Sequence, residues 1–121
     1  MLEIMNGFPE YIVAVSAKAI VSKDDYETVL IPRVDAALKK HEKIRFYYQL
    51  GAEFSGIEAA AAWEDLKLGV EHLANWERIA IVTDCKWIDY AVRALRFLIP
   101  ADVRVYANAD AEAARRWITA E

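Results

Sequence analysis

RIAIVTDCKWIDYAVRALRFLIPADVRVYA, residues 78–107, is the stretch on which the fold turns. Arg78 to Thr83 is a short run of Ile, Ala and Val, of the length and β-branched character of a buried strand. Trp87 to Leu98 then sets Ile88, Ala91, Val92, Leu95 and Leu98 at helical spacing and ends before Pro100. Val103 to Ala107 returns to strand character. A strand, a helix of that length and a second strand form a right-handed crossover, which joins parallel neighbours in one sheet.

The same alternation continues on both sides of this stretch. Upstream, Ile44 to Leu50 (IRFYYQL) is a strand followed by a loop from Gly51 to Gly56. The next helix sets Ala59, Ala62, Trp63, Leu66, Val70 and Leu73 on one face, with Glu64, Asp65, Lys67, Glu71 and His72 largely off it. Nearer the start, residues 2 to 5 and 11 to 17 are short β-type runs around the turn-forming Asn6-Gly7-Phe8-Pro9, which predicts an antiparallel hairpin or meander. A helix begins at Ser22, where Asp25 three residues on completes a capping box. Tyr26, Val29, Leu30, Val34, Ala37 and Leu38 continue it, and Pro32 inside it predicts a kink or an irregular turn. Downstream, Asp110 caps a last helix that ends in Trp117 and Ile118. The element order is ββαβαβαβα: an α/β fold in one domain, residues 1–121, with a mixed, mostly parallel sheet covered by helices. Leu66, Val70, Val92 and Leu95 are expected to pack the helices onto the sheet.

Composition narrows the functional classes. Apolar residues make up 56% of the 121, enough for a core without disulfide or metal staples. A net charge of −4 gives no basic face for nucleic acid. The basic pairs Lys39-Lys40 and Arg115-Arg116 read as solvated helix faces. The single cysteine, Cys85, permits no internal disulfide and points to a reducing compartment. The start, MLEIMNGFPEYIVAV, has neither the basic region nor the unbroken apolar run of a signal peptide. No apolar run approaches the ~20 residues of a transmembrane helix. These features predict a cytoplasmic, bacterial protein with no transmembrane segment.

That element order, with particular residues, resembles the SpoIIAA-like family, a branch of the STAS and CRAL-TRIO-like group. The matching residues are Asp25-Tyr26 with Leu30-Ile31-Pro32, and Trp63-Glu64-Asp65-Leu66-Lys67. Further on they are Glu77 to Val82 leading through Asp84 to Lys86-Trp87, and Ala113-Ala114-Arg115-Arg116-Trp117. The resemblance spans nearly the whole chain and implies a non-enzymatic module. More distant relatives include anti-sigma-factor antagonists switched by serine phosphorylation and carriers of small apolar ligands. In the antagonists the switch serine lies in an Asp-Ser-Ser-Gly stretch between a strand and a helix. The comparable segment here is Gly51-Ala52-Glu53-Phe54-Ser55-Gly56, in which only Ser55-Gly56 fits.

The candidate sites come from this organisation. Ser55 is a phospho-acceptor candidate, or an anion ligand at a helix start; with Glu58 three residues on it equally forms a capping box. His41 and His72 lie near helix ends with no nucleophile or orienting carboxylate at motif spacing, so no catalytic residue is assigned and no enzyme activity is expected. No His/Cys/carboxylate spacing suggests a metal, and no cofactor is called for. Cys85, between a strand and a helix, reads as a small apolar filler more readily than as a reactive thiol. Trp63 and Trp117 fall in apolar helical stripes and read as core, whereas Trp76 lies in the loop before Arg78 and Trp87 opens a helix beside Lys86. The ligand-binding expectation is an apolar cleft at the carboxyl ends of the strands, bordered by Phe54, Trp63 and Trp87 with Ser55 at its rim. The Ala59–Ala62 run permits close helix approach and equally leaves room for an apolar ligand or a partner helix. The leading function is a non-catalytic carrier or sensor of a small apolar ligand; the rival is a protein-interaction module of the antagonist type. Partners in view are therefore a small apolar molecule, a protein, or a second copy in a homodimer.

Overall fold

A computed structural model describes the backbone of residues 1–121 and every side chain except those at positions 65, 66, 69, 70 and 73. Strands β1 (Leu2–Ile4) and β2 (Ile12–Val21) form the expected antiparallel pair, with Leu2 opposite Ala17 and Ile4 opposite Val15. The turn between them carries Gly7 at φ +90°, a conformation that glycine reaches without steric cost. Strands β3 (Ile44–Ile57), β4 (Trp76–Thr83) and β5 (Asp102–Tyr106) come next, and the sheet order is β1-β2-β3-β4-β5. Every neighbouring pair from β2 onward is parallel.

The first helical rod has three parts. The short helix α1 (Lys23–Asp25) opens with the Ser22–Asp25 capping box, in which each side chain accepts from the other's backbone N–H, at 3.1 and 2.8 Å. A π-helical turn, Tyr26–Leu30, leads into α2 (Ile31–Lys40), where Pro32 stands in the first turn. Proline offers no N–H and crowds the carbonyl one turn back. The irregularity expected from Pro32 is thus a widened turn just before it, closed by the Ile31 N–H donating to the Tyr26 carbonyl. Three further helices complete the fold: α3 (Ala59–Glu71), α4 (Lys86–Leu95) and α5 (Ala111–Thr119).

Alternation along the strands divides the core in two. Val13, Val15, Phe46, Tyr48, Ile79 and Ile81 point to one face, where they meet Val34 and Ala37 of α2, Ala61 and Leu68 of α3 and Ile88 of α4. Ile12, Ala14, Tyr47, Ala80 and Val82 point to the other, covered by Ala114 and Ile118 of α5. On the first face the Tyr26 and Tyr48 hydroxyls are 3.0 Å apart and buried, tying the π turn to the middle of β3. On the second, Arg45 of β3 is only 8% exposed. It donates to Glu77 and to the Ile118 and Ala120 carbonyls, while Arg78 donates to the Trp117 and Ala120 carbonyls, so two strands close the last turn of α5.

Several expectations need correction. The segment Gly51 to Gly56 is not a loop, because β3 continues to Ile57. β2 also runs on past Ala17, through a bulge at Ala19 (φ +51°), and its backbone pairs Ala19 with Phe54 and Val21 with Ile57. Glycines inside a strand mark such irregular pairing as readily as they mark loops. Trp76 is likewise not in a loop but opens β4 opposite Ile44, and Glu77 is the extra residue of a second bulge. Asp110 occupies the N-cap of α5 but makes no capping bond, since a 3-10 turn, Asn108–Asp110, leads into that helix.

Candidate functional site

The sheet face under α3 and α4 is incompletely filled. A groove of about 240 Å³ lies there. Its floor is Phe46 and Tyr48 of β3, Ile79 and Ile81 of β4 and Val103 of β5. One wall is α3, through Ala62 and Leu68. The other is α4, through Trp87, Ile88, Ala91, Val92 and Leu95. Trp76, Leu98 and Ile99 close the end at the amino termini of β4 and β5, and Ile57 marks the opposite end. Arg96 is the one charged side chain among the described residues of the lining.

Helix periodicity explains the opening. In α4, Ile88 is buried against the sheet and Val92 is half-buried, one turn apart. A second apolar row, Trp87, Ala91, Leu95 and Leu98, runs beside the first and lines the groove without filling it. α4 therefore carries a wider apolar surface than the sheet can bury. Leu95 is 42% and Trp87 55% exposed, and Tyr90, Phe97 and Leu98 are also exposed. Leu95 does not pack on the sheet as expected; it lines the groove. Val92 does reach the core, whereas Leu66 and Val70 lie outside the described side chains.

On α3 the inward residues are Ala61 and Leu68, two turns apart. Successive residues of a helix are about 100° apart, so Trp63, two positions beyond Ala61, points roughly 200° away from it. Trp63 is accordingly 60% exposed instead of facing inward as expected. Ala59 and Ala62 are exposed too, but Ala62 is small enough to leave the groove open beside it.

Of the four ligand-binding residues expected from sequence, the structure places Trp87 in the groove wall. Phe54 is half-buried against the main core, and Ser55 is exposed on β3. Neither they nor Trp63 line the groove, which runs across the sheet face from Ile57 and Trp87 at the carboxyl ends of β3 and β4 to the amino ends of β4 and β5. Ser55 does not cap α3: Glu58 takes that position, without a side-chain cap, and its N–H donates to the Val21 carbonyl at 2.9 Å. The position of Trp76 was missed. It is 3% exposed, it forms part of the groove's end, and its indole N–H has no acceptor among the described residues. A buried donor left unpaired costs ~1–3 kcal/mol. The alternation of Ile79 and Ile81 in Trp76-Glu77-Arg78-Ile79-Ala80-Ile81 could have extended the strand back to it, had the bulge been allowed for.

The remaining candidates lie outside the groove. His41 caps the end of α2, its N–H donating to the Ala37 carbonyl, and its Nε2 lies 3.9 Å from Glu10. Its other close neighbour is the Tyr11 ring. Cys85 precedes α4, half-buried against the core, and its N–H donates to the Thr83 hydroxyl at 3.0 Å. Trp117 is held between the guanidinium groups of Arg78 and Arg104, 5.5 and 4.5 Å from its ring centre. Among the described residues no group of three or more His, Cys, Asp or Glu stands together as a metal site. No helix among them is long and apolar enough to cross a membrane.

A five-stranded mixed sheet of this order, with α2, α3 and α4 on one face and α5 on the other, is the architecture of a STAS-type module. The chain belongs to the SpoIIAA-like family, whose model matches residues 12–119. The fold is similar to the crystal structure of an uncharacterised protein from the DUF3478 family, with a SpoIIAA-like fold, from Shewanella loihica PV-4. The TM-score is 0.75 at 26% identity, covering 98% of this chain and 92% of that one. A comparison with curated proteins finds no match.

Proposed function

We propose that this chain is a non-catalytic SpoIIAA-like module that holds a small apolar molecule in the groove between α3 and α4. The groove itself carries the reading: about 240 Å³ over the sheet, walled by aliphatic and aromatic side chains and edged by exposed Trp87 and Leu95. An apolar cavity of ~150 Å³ suffices to bind benzene, and sites for drug-sized ligands begin near ~300 Å³. The guest is therefore compact or a short chain. Covering the rim removes apolar surface from water, worth ~25 cal/mol per Å² before the costs of association. The free thiol of Cys85 suits the bacterial cytoplasm.

Tryptophan fluorescence titrated with short-chain apolar molecules tests this, alongside native mass spectrometry of the freshly purified protein. A saturable blue shift that Trp87→Ala abolishes is the expected result. No saturable change, with an identical response in the variant, leaves the protein-interaction reading in its place. One observation favours that second reading: Ser55 is exposed and so open to a kinase, although it sits in a paired strand and not at a helix start. A phosphate found on Ser55 in protein from its native host would support it.

A further inference from the structure

If the groove is a small-molecule site, one of its ends is polar and still without a role; any role for that end rests on the same reading of the groove. Two hydrogen-bond donors stand there, and neither has a matching acceptor among the described residues. The Trp76 indole N–H is buried without a partner among the described residues. The Arg96 side chain is exposed and forms no ion pair among them; its one described side-chain contact is with the Phe97 ring, 5.8 Å away. By contrast, Arg93, one turn earlier on α4, is already paired with Asp89 at 2.6 Å.

The sheet register brings these two donors to the same edge. Arg78 pairs with Asp102, so Trp76, two residues earlier, lies at the level of the chain just entering β5. That entering segment includes Ile99, whose N–H donates to the Arg96 carbonyl at 3.3 Å. A cation and a neutral donor at one end of an otherwise apolar groove complement a negatively charged acceptor group followed by a hydrocarbon tail. The opposite end, at Ile57 and Trp87, is apolar and open, as the end of such a tail requires.

We propose that the groove takes a single-chain amphiphile with a compact anionic head, the head held by Arg96 and the Trp76 N–H and the tail lying toward Ile57 and Trp87. The groove's volume limits the tail to a short or medium chain.

Three probes of equal chain length separate the possibilities: decanoate, decanol and decylammonium, each kept monomeric and titrated into the intact protein at low salt. Decanoate is expected to bind about tenfold more tightly than decanol, the low end for a charge-assisted hydrogen bond because the Arg96 side chain is exposed. Arg96→Gln should bring that ratio near one without weakening decanol, and Arg96→Glu should turn the preference to decylammonium. In a ¹⁵N-correlated spectrum the Trp76 indole proton should move downfield with decanoate. Unchanged thermal melts would show that both variants fold. Equal affinity for decanoate and decanol in the wild type, unaltered in Arg96→Gln, would overturn the anionic head while leaving the groove as an apolar site. If none of the probes binds, the groove reading itself fails. A dimer that Trp87→Ala dissociates and decanoate does not would assign the groove to a second copy and overturn both.

Discussion

Arg45→Met is the substitution whose cost the structure defines most closely. The arginine stem is buried on the α5 face, and a methionine would keep that packing while deleting the charge. What is lost is the guanidinium, which donates to the Ile118 carbonyl at 2.8 Å, to the Ala120 carbonyl and to Glu77 at 2.6 Å, beside the Tyr11 ring at 5.3 Å. Hydrogen bonds from a charged donor contribute about 1.5–3 kcal/mol each. The Glu77 pair adds no more than ~1 kcal/mol, because that carboxylate is 45% exposed and screened by water. Against these losses stand relief from burying a cation and the continued hold of Arg78 on the Ala120 carbonyl. The net expectation is a loss of ~2–3 kcal/mol, read as a lower urea midpoint with an unchanged slope. Exchange of the amides in the last turn of α5 should quicken more than exchange in β3. Because Arg45 and Arg78 share the Ala120 carbonyl, the double variant with Arg78→Met should cost more than the two single changes added, by ~0.5 kcal/mol or more. A loss below ~0.5 kcal/mol for Arg45→Met, with α5 exchange unaltered, would show that this clamp does not hold the helix.

The first helical rod supplies two further expected outcomes. Burial pushes the Asp25 carboxyl up, but the Ser22 N–H and hydroxyl, with the chain's amino group 3.2 Å away, outweigh it, so it titrates below the usual value. The unfolded chain therefore takes up the proton first, and this stabilisation, full at neutral pH, is lost as pH falls below ~4. Asp25→Asn should cost ~1 kcal/mol at pH 7 and progressively less below pH 4 in denaturant titrations; a gap that does not depend on pH would refute it. Leu30→Ala, in the fully buried end of the π turn, should cost ~2–5 kcal/mol in the same assay. A cost under ~1 kcal/mol would mean that the π turn does not anchor the core.

How much of the fold and the groove was legible in the sequence depended on the range of the interaction concerned. The strand and helix periods that give the element order, the Ser22–Asp25 box and the disturbance before Pro32 are set by residues within a turn or two of one another, and the parallel crossover at 78–107 follows from the handedness rule once its strands and helix are placed. Periodicity and local hydrogen-bonding chemistry were therefore enough to read them. The extension of β3 through Gly51–Gly56 was not legible, because its partner is the bulged end of β2, more than thirty residues away. The same holds for the inward face of α3. Its sequence carries two apolar stripes, and only packing against the sheet selected Ala61 and Leu68 while turning Trp63 to solvent. The groove belongs wholly to the tertiary structure. Trp87 could be expected at a ligand site from its place after a parallel strand, but Trp76 and Arg96 reach the groove by way of a bulge and a 3-10 turn. Local sequence set the order of strands and helices, but not how far β3 and β4 extend. The width of α4's apolar face against the strand beneath it, a matter of how two surfaces fit, decided that a cavity remains and which side chains line it.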